Sequence, residues 1–335
     1  MSVGLTLGKF APLHKGHQLL IETALQQVDK LIIMVYDTSV TSVPLPARAG
    51  WVRKLYPQAE VIEAWNGPEE TGYTPEIQKL QEEFILQTLD GRHIDAFFCS
   101  EPYGEHVSQA LGAKCEIVDQ DRVRIPVSGT LIRADPAKYR EWVDPVVYRD
   151  LIVNAVFLGG PSTGKSTLVG ALAKEYGTES MLEYGREYWD AHQVDRRLTR
   201  QQLVELAEGH LEREEQRLLR ADRYLFTDTN AITTYLFSLH YHGSAEPRLL
   251  ELAQDCAKRY DLFFLCDIDI PYDDTWDRSG DINRQEMQRR TVAFLQEYKI
   301  PYFTVRGTLE ERISQVKGIL ERYTKYENIA ELTTP

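Results

Sequence analysis

Short apolar runs alternate with helix-patterned segments along this chain, in two successive series. The first series has apolar runs at 3–7, 31–36, 59–62, 96–99 and 116–118, with helical patterns near 17–27, 47–56, 75–88 and 105–111. The second begins at Ile152, with further runs at 180–182, 223–227, 262–267 and 302–305 and long helical patterns at 199–220 and 283–298. Strands that alternate with helices predict parallel sheets. We therefore predict an α/β fold with two doubly wound parallel-sheet domains in tandem.

The break between the two series gives the domain boundary. It falls near residues 144–149, where Asp144-Pro145 ends one pattern shortly before a new strand begins. A chain of 335 residues is also longer than a typical single core. The predicted domains are 1–147 and 148–335.

The composition limits the class of protein. A formal net charge of -13 argues against a broad nucleic-acid surface, which needs a basic excess. The widely spaced cysteines indicate reduced, buried thiols rather than disulfides or a zinc site: Cys99, Cys115, Cys256 and Cys266. No basic leader precedes the first strand, and no apolar run approaches the roughly 20 residues that span a bilayer. We expect a cytoplasmic protein with no nucleic-acid or membrane partner, which could form a homo-oligomer.

One motif in the second series predicts nucleotide binding. The stretch Gly159-Gly160-Pro161-Ser162-Thr163-Gly164-Lys165-Ser166-Thr167 fits G-x-x-x-x-G-K-[ST], follows an apolar run and precedes a helical pattern at 167–176. Glycine-rich backbone and a helix N-terminus together cradle phosphate oxygens. Lys165 is predicted to reach the β- and γ-phosphates of ATP, and Ser166 to ligate Mg²⁺. An ordinary glycine-rich turn is the alternative, and the strand–turn–helix context disfavours it.

The loop after the first strand carries a second set of candidate phosphate ligands. Gly8 follows that strand and permits a tight turn, and Gly16 opens the next helix and leaves room for a phosphate. His14 and His17 lie one helical turn apart and are predicted to donate hydrogen bonds to the α- and β-phosphates of ATP. The alternatives are a metal pair or two surface histidines.

A third element, Val127-Ser128-Gly129-Thr130-Leu131-Ile132-Arg133, precedes the domain boundary. Ser128 and Thr130 can cap a helix, and Arg133 adds a cation one turn later. By itself this pattern indicates only a capped helix with a solvated arginine. Paired with the histidine loop, it indicates a second nucleotide site.

Together these two elements resemble the signature of the nucleotidyltransferase superfamily. Such a Rossmann-like domain followed by a P-loop kinase domain resembles the bifunctional NadR-type proteins, which join NMN (nicotinamide mononucleotide) adenylyltransferase to ribosylnicotinamide kinase. The resemblance covers essentially the whole chain and includes Arg48, Trp51, Ser100-Glu101 and the run from Asp119 to Arg122. It implies ATP contacts in the first domain from Gly8, Lys9, Phe10, His14, Lys15, His17, Arg122, Ser128, Thr130 and Arg133.

The resemblance leaves two points open in the first domain. Trp51 would offer an aromatic face to nicotinamide, although a tryptophan on an amphipathic helix is more often part of the core. NadR proteins that repress transcription carry an N-terminal helix-turn-helix domain, whereas this sequence starts at the transferase strand. A DNA-binding role is therefore not expected.

The segment after residue 182 is predicted to hold the acceptor of the kinase reaction. Glu183 could accept the proton of a ribose 5′-hydroxyl, and Arg186 could neutralise phosphate charge. Tyr184 and Tyr188 could pack on a nicotinamide ring. The alternatives are an exposed ion pair between Glu183 and Arg186 and core packing of the tyrosines.

Two further segments complete the predicted kinase site. Asp228 ends an apolar run in a Walker-B-like position, where it would hold Mg²⁺ or compete with Glu183 as the base. Residues 273–284 are polar, and Arg278 and Arg284 resemble the lid arginines of small-metabolite kinases. A solvated loop, with Arg284 on an exposed helix face, is the alternative.

The sequence thus predicts two successive steps of NAD salvage. The second domain would phosphorylate ribosylnicotinamide with Mg²⁺ and ATP to NMN, and the first would adenylylate NMN with ATP to give NAD. Two alternatives remain: a similar fusion that acts on another mononucleotide and nucleoside, and a nucleotide-binding regulator without turnover.

Overall fold

A computed structural model describes residues 1–68, 70, 72, 74–193, 197–271, 281–327, 329 and 332. Residue contacts divide the chain into two compact units, the first ending at Tyr148 and the second beginning at Arg149. Each unit contains one five-stranded sheet. In the part of the chain described, no helix combines the length and the apolar character that crossing a membrane requires.

The sheet of the first unit has the strand order β3-β2-β1-β4-β5, and all its pairings are parallel. The strands are β1 (Val3–Gly8), β2 (Lys30–Tyr36), β3 (Glu60–Ala64), β4 (Ala96–Cys99) and β5 (Lys114–Ile117). The helices are α1 (Lys15–Leu25), α2 (Leu45–Leu55), α3 (Pro75–Leu89), α4 (Gly104–Leu111) and α5 (Gly129–Ala134). Helix α6 (Pro145–Leu151) contains the division between the two units. The strand order reverses between β1 and β4. Ligands of open parallel sheets bind outside the carboxyl ends of the strands at such a point.

The sheet of the second unit has the order β10-β9-β6-β8-β7, again parallel throughout. Its strands are β6 (Val153–Leu158), β7 (Ser180–Met181), β8 (Tyr224–Asp228), β9 (Leu262–Cys266) and β10 (Phe303–Val305). Its helices are α7 (Lys165–Tyr176), α8 (Gly185–His192), α9 (Arg200–Leu218), α10 (Ala231–His242), α11 (Pro247–Arg259), α12 (Asp281–Glu297) and α13 (Leu309–Leu320). The central strand β6 leads directly into the glycine-rich loop.

The predicted fold class is confirmed, and burial explains why the strands were easy to find. Every residue of β8 and β9 is buried. Helices cover both faces of such sheets, so the strands appear in the sequence as continuous apolar runs rather than alternating ones. Four helices of the second unit are absent from the predicted series: α8, α10, α11 and α13. Helix α10 contacts α9, α11 and α12, so its apolar residues do not form one clear stripe.

Candidate active sites

The first candidate site lies in the loop between β1 and α1, at the carboxyl edge of the first sheet. His14 is the N-cap residue of α1, and its Nδ1 accepts a hydrogen bond from the Gly16 N–H at 3.1 Å. The His17 Nδ1 accepts one from the His14 N–H at 3.3 Å. The two imidazole rings stack with their centroids 3.7 Å apart. These contacts fix the orientation of both rings.

Both histidines are held in the neutral form. Burial, together with the nearby charge of Arg122, lowers the pKa of His14 to about 4. Burial, then His14 and Arg122, lower the pKa of His17 well below its usual value. Because each Nδ1 accepts a backbone N–H, the proton of each neutral ring is on Nε2. Each histidine therefore offers one Nε2–H as a hydrogen-bond donor.

This protonation state gives a prediction for the free protein. The His14 ring is expected to stay neutral, with its proton on Nε2, as the pH falls from 7 to 5. Nuclear magnetic resonance of histidine-labelled protein measures both the tautomer and the titration. The unfolded chain takes up this proton near the ordinary histidine pKa of 6.5 and the folded chain only near a pKa of about 4, so the folded state loses stability as the pH falls between them. A titration midpoint between pH 6 and 7 for His14 would contradict the neutral assignment.

The predicted capped helix lies against this first loop. Ser128 is the N-cap residue of α5 and accepts a hydrogen bond from the Leu131 N–H at 3.3 Å. Arg133 donates to the Ala11 carbonyl and, at 3.2 Å, to the Thr130 hydroxyl. A Cβ on Gly129 would lie 2.9 Å from the Ala11 carbonyl oxygen, so only glycine permits this approach. The structure thus brings together the two elements that the sequence placed more than a hundred residues apart.

Several basic residues lie in or beside the histidine loop. Arg122 is close enough to lower the pKa of both histidines, and its Nη2 donates to the Glu101 carboxylate at 3.0 Å. Lys15 is exposed at the first residue of α1. The Lys9 carbonyl accepts a hydrogen bond from Arg48, which is fully buried. Arg48 therefore supports the backbone of this loop from a buried position.

The structure gives three further details of this loop. The left-handed backbone, with φ 45°, falls on Phe10. Phe10 is only 1% exposed and packs edge-on against His17, so its side chain supports the histidine. A Cβ on Gly16 would lie 3.0 Å from the His14 ring, so the lack of a side chain at this position leaves room for that ring.

The prediction that Trp51 offers an aromatic face to nicotinamide is wrong. Trp51 is 1% exposed within α2 and belongs to the core, the alternative given above. Trp65 was not predicted, yet it is 49% exposed and directly follows β3. It therefore stands at the same carboxyl edge of the sheet as the histidine loop.

The second candidate site is the loop between β6 and α7. Gly159 has φ 141°, and a Cβ there would lie 2.6 Å from the Cys266 carbonyl oxygen, so only glycine fits. Gly164, with φ 79°, is the N-cap residue of α7. The Thr163 hydroxyl closes the loop by donating to the Gly160 carbonyl at 2.8 Å. The Lys165 ammonium donates to the carbonyls of Gly159 at 3.2 Å and Gly160 at 2.9 Å, which holds it over the loop.

Asp228 lies beside this loop at the end of β8. It is fully buried, and the Ser166 hydroxyl donates a hydrogen bond to its Oδ2. Burial raises the pKa of Asp228 to about 6; Glu183 also raises it, whereas Lys165 and Arg186 lower it. The Asp228 Oδ1 is buried and has no hydrogen-bond partner among the residues that the structure describes. The structure therefore brings four of the predicted kinase residues near Asp228.

The acceptor-side predictions have mixed outcomes. Glu183 and Arg186 are exposed and close enough to Asp228 to affect its pKa. Tyr188 is 5% exposed and its hydroxyl donates to the Glu205 carboxylate at 2.7 Å, so it is a core residue and not a substrate contact. The Tyr184 ring has the Arg213 guanidinium 3.9 Å from its centroid, which covers one of its faces.

Helix α12 holds the glycine-rich loop from the side. The Gln288 Oε1 accepts the Gly160 N–H at 2.8 Å, and its Nε2 donates to the Cys266 carbonyl at 3.2 Å. Arg284 is 2% exposed and donates to the Ile270 carbonyl at 2.7 Å. The alternative that placed Arg284 on an exposed helix face is therefore wrong. Arg278 lies outside the described residues.

Two family models match this chain. A cytidylyltransferase-like model matches residues 5–135, and an AAA domain model matches residues 154–312. A relative from Escherichia coli (strain K12), the trifunctional NAD biosynthesis/regulator protein NadR, is 31% identical over 337 residues, which cover 91% of this chain and 78% of the relative. The chain belongs to the NadR family. A second NadR, from Salmonella typhimurium, is 29% identical and covers 91% of this chain and 79% of its own.

Solved NadR structures share the fold. A NadR crystal structure in complex with NR has a TM-score of 0.57 and 21% identity, and the match covers 98% of both chains. Another, in complex with NAD and AMP-PNP, has a TM-score of 0.56 and 20% identity, and covers 96% and 95% of the two chains. At this identity the likeness supports the architecture of both units.

Sequence reasoning missed several residues that shape the sites of this NadR-family chain. Gln288 and Arg312 contact the glycine-rich loop from α12 and α13, and Trp65 stands at the sheet edge that carries the first site. Nothing in the sequence marks Gln288 or Arg312, because each lies more than a hundred residues from the loop it contacts. Trp65 had one available signal, since an aromatic residue directly after an apolar run stands at the edge of a parallel sheet where ligands bind.

Proposed function

We propose that the two units of this protein carry the two activities of its family separately. Family membership makes it an enzyme of NAD biosynthesis, an NMN adenylyltransferase and a ribosylnicotinamide kinase. We assign the adenylyltransferase to residues 1–147, where the histidine pair lies against α5. We assign the kinase to residues 148–335, where Lys165, Ser166 and Asp228 meet.

In the transferase reaction, a phosphate oxygen of NMN attacks the α-phosphorus of ATP and pyrophosphate leaves. The Nε2–H groups of His14 and His17 suit this step, because both are fixed neutral donors at one edge of the sheet. Arg133, Arg122 and Lys15 would supply positive charge to the phosphates. Donors oriented before the reaction stabilise developing charge without reorganisation, and such stabilisation dominates phosphate chemistry.

We assign Trp65 to the pyridine ring of NMN. Its indole is half exposed at the end of β3, whereas Trp51 is buried. An indole face attracts a cationic ring such as the pyridinium of NMN. Stacking of a base on an aromatic side chain contributes about 1–3 kcal/mol.

Substitution Trp65→Ala is therefore expected to raise the KM for NMN about tenfold, with little change in the KM for ATP. Trp65→Phe should recover most of the loss, since it keeps an aromatic face. Steady-state pyrophosphate release measures both constants. Leu80→Ala, at another exposed apolar residue of the same unit, is the matched control. An unchanged KM for NMN in Trp65→Ala would show that Trp65 does not bind the pyridine ring.

In the kinase reaction, the 5′-hydroxyl oxygen of ribosylnicotinamide attacks the γ-phosphorus of ATP, and ADP leaves. Lys165 and the backbone N–H groups of the glycine-rich loop would hold the phosphate chain. Asp228 already accepts a hydrogen bond from Ser166, whereas Glu183 is exposed. We therefore assign the acceptance of the hydroxyl proton to Glu183, with Arg186 beside the transferred phosphate.

The residues around Asp228 fit Mg²⁺. Within the described part of the chain the buried Asp228 Oδ1 lacks a hydrogen-bond partner, and the neighbouring Ser166 hydroxyl adds a second oxygen ligand. Magnesium prefers such oxygen ligands and takes the remainder from phosphates and water. Among the described residues there is no group of three or more His, Cys, Asp or Glu side chains that could hold a metal ion. When bound, the ion would neutralise phosphate charge, and Asp228 and Ser166 would hold it.

The observation that carries this proposal is the convergence of Lys165, Ser166, Asp228 and Glu183 in one unit and of the histidine pair with Arg133 in the other. The test is product analysis with the full chain. Ribosylnicotinamide, Mg²⁺ and ATP should give ADP and NMN first, and then NAD and pyrophosphate. ADP reports only the kinase and pyrophosphate only the transferase. If neither NMN nor NAD forms from either substrate, the assignment fails.

A further inference from the structure

Arg312 is a buried cation of the second unit that the proposed kinase mechanism does not use. It lies in α13 and is 2% exposed. A charged side chain is rarely buried to this extent unless its donors are all engaged, because removal from water is costly. Its hydrogen bonds therefore show which segments the buried side chain holds together.

The Arg312 guanidinium joins three separate loops at the carboxyl edge of the sheet. Its Nη1 donates to the Thr163 carbonyl in the glycine-rich loop. Its Nη2 donates to the Asp267 carbonyl, at 3.2 Å, and to the Asp269 carboxylate, both in the segment after β9. Its Nε donates to the Gly307 carbonyl at 3.0 Å, in the loop after β10. Arginine suits this place because its planar fork offers several donors in fixed directions.

The contact with Thr163 lies where the glycine-rich loop turns into α7. Thr163 is fully buried and immediately precedes Gly164, which takes the left-handed backbone that turns the loop into α7. Lys165 is the next residue. A shift of the Thr163 carbonyl would therefore reorient the first N–H groups of α7 together with the lysine.

Asp269 contacts both Arg312 and the loop after β10. Its Oδ1 accepts from Arg312, and its Oδ2 accepts the Gly307 N–H at 2.6 Å. Burial opposes its charge, but these hydrogen bonds hold the pKa of Asp269 below its usual value, so it is a carboxylate at neutral pH. An ion pair between two half-exposed side chains contributes little to stability. Here the guanidinium is buried, so removal of the Asp269 carboxylate would leave a buried charge without its partner, which is costly.

We propose that Arg312, paired with Asp269, is a positioning residue for the kinase reaction, which fixes the glycine-rich loop in its phosphate-binding conformation. The inference rests on the proposed kinase function of this unit. Arg312 touches no reacting atom and acts through Thr163, Gly164 and Lys165. It follows that its loss should weaken the binding of the phosphate chain of ATP more than the binding of ribosylnicotinamide.

The test compares Arg312→Met, Arg312→Lys and Asp269→Asn in the full chain. Arg312→Met is expected to raise the KM for ATP in ADP release at least tenfold, with a smaller change in the KM for ribosylnicotinamide. Arg312→Lys, which keeps the charge but not the fork, should be intermediate, and Asp269→Asn should raise the KM for ATP about threefold. Pyrophosphate release from NMN and ATP by the first unit should stay unchanged. Arg322→Met, at an exposed arginine after α13 that donates to the Gly318 carbonyl, is the matched control.

The outcomes distinguish a failure of the proposed kinase function from a failure of the positioning role of Arg312. If the unsubstituted protein releases no ADP, the proposed function fails. If it does, and Arg312→Met lowers kcat while leaving the KM for ATP unchanged, Arg312 serves stability alone and the inference is overturned. If Arg312→Met does not fold, Asp269→Asn decides, and an unchanged KM for ATP in that variant overturns the inference.

Discussion

Lys165→Ala is expected to abolish ADP formation from ribosylnicotinamide and ATP while NAD formation from NMN and ATP continues. The lysine is the charged group of the glycine-rich loop, and two loop carbonyls hold it there. Loss of one group aimed at the transferred phosphate costs on the order of 10³-fold in rate. The readout is initial-rate ADP release for the kinase and pyrophosphate release for the transferase, on the same protein sample.

Lys174→Ala is the matched control, because Lys174 is an exposed lysine on the same helix α7. It should leave both rates unchanged. If Lys165→Ala also stopped pyrophosphate release while the protein stayed folded, the two reactions would share one nucleotide site. The division of the activities between the two units would then be wrong.

His17 is expected to show the reverse pattern, with pyrophosphate release lost and ADP release kept. The His17 side chain has two tasks: Nδ1 accepts the His14 N–H, and Nε2–H is the donor assigned to phosphate. His17→Asn can keep an acceptor near the Nδ1 position but has no donor at the Nε2 position. His17→Gln extends its amide towards the Nε2 position. We expect a loss of about 10²–10³-fold in kcat for His17→Asn and a smaller loss for His17→Gln.

The comparison of the two variants separates catalysis from capping. If the cap alone mattered, His17→Asn would retain activity and His17→Gln would not. His93→Asn, at an exposed histidine of the same unit, should change neither rate. Equal, small effects of all three substitutions would remove His17 from the transferase mechanism.

The sequence was most informative where chemistry depends on neighbouring residues. The glycine-rich loop after β6 and the histidine loop after β1 are both short motifs between a strand and a helix, so spacing alone places their backbone. Gly159 shows why: its φ of 141° and the nearby Cys266 carbonyl exclude a side chain at that position. The same holds for the cap formed by His14 and His17.

The predictions that were wrong concern side chains whose environment comes from distant segments. Trp51 and Tyr188 were candidates for ring contacts, but helices packed on the sheets bury both. Phe10 lies in the correct loop, yet its ring supports His17. An aromatic residue on a helix has the same local pattern whether it faces a ligand or the core, so only the packed neighbours decide.

The amino-acid sequence by itself determined the two parallel sheets, the two loops that we assign to phosphate binding and the residue types in each, because strand burial and turn geometry depend on local patterns. Tertiary structure alone decided which charges meet: Arg133 with the first loop, Asp228 with Ser166, and Arg312 with Thr163. It also decided that His14 and His17 are neutral donors, since burial and the charge of Arg122 set their pKa values. Burial and electrostatic fields sum over groups far apart in the chain, and no local pattern records that sum.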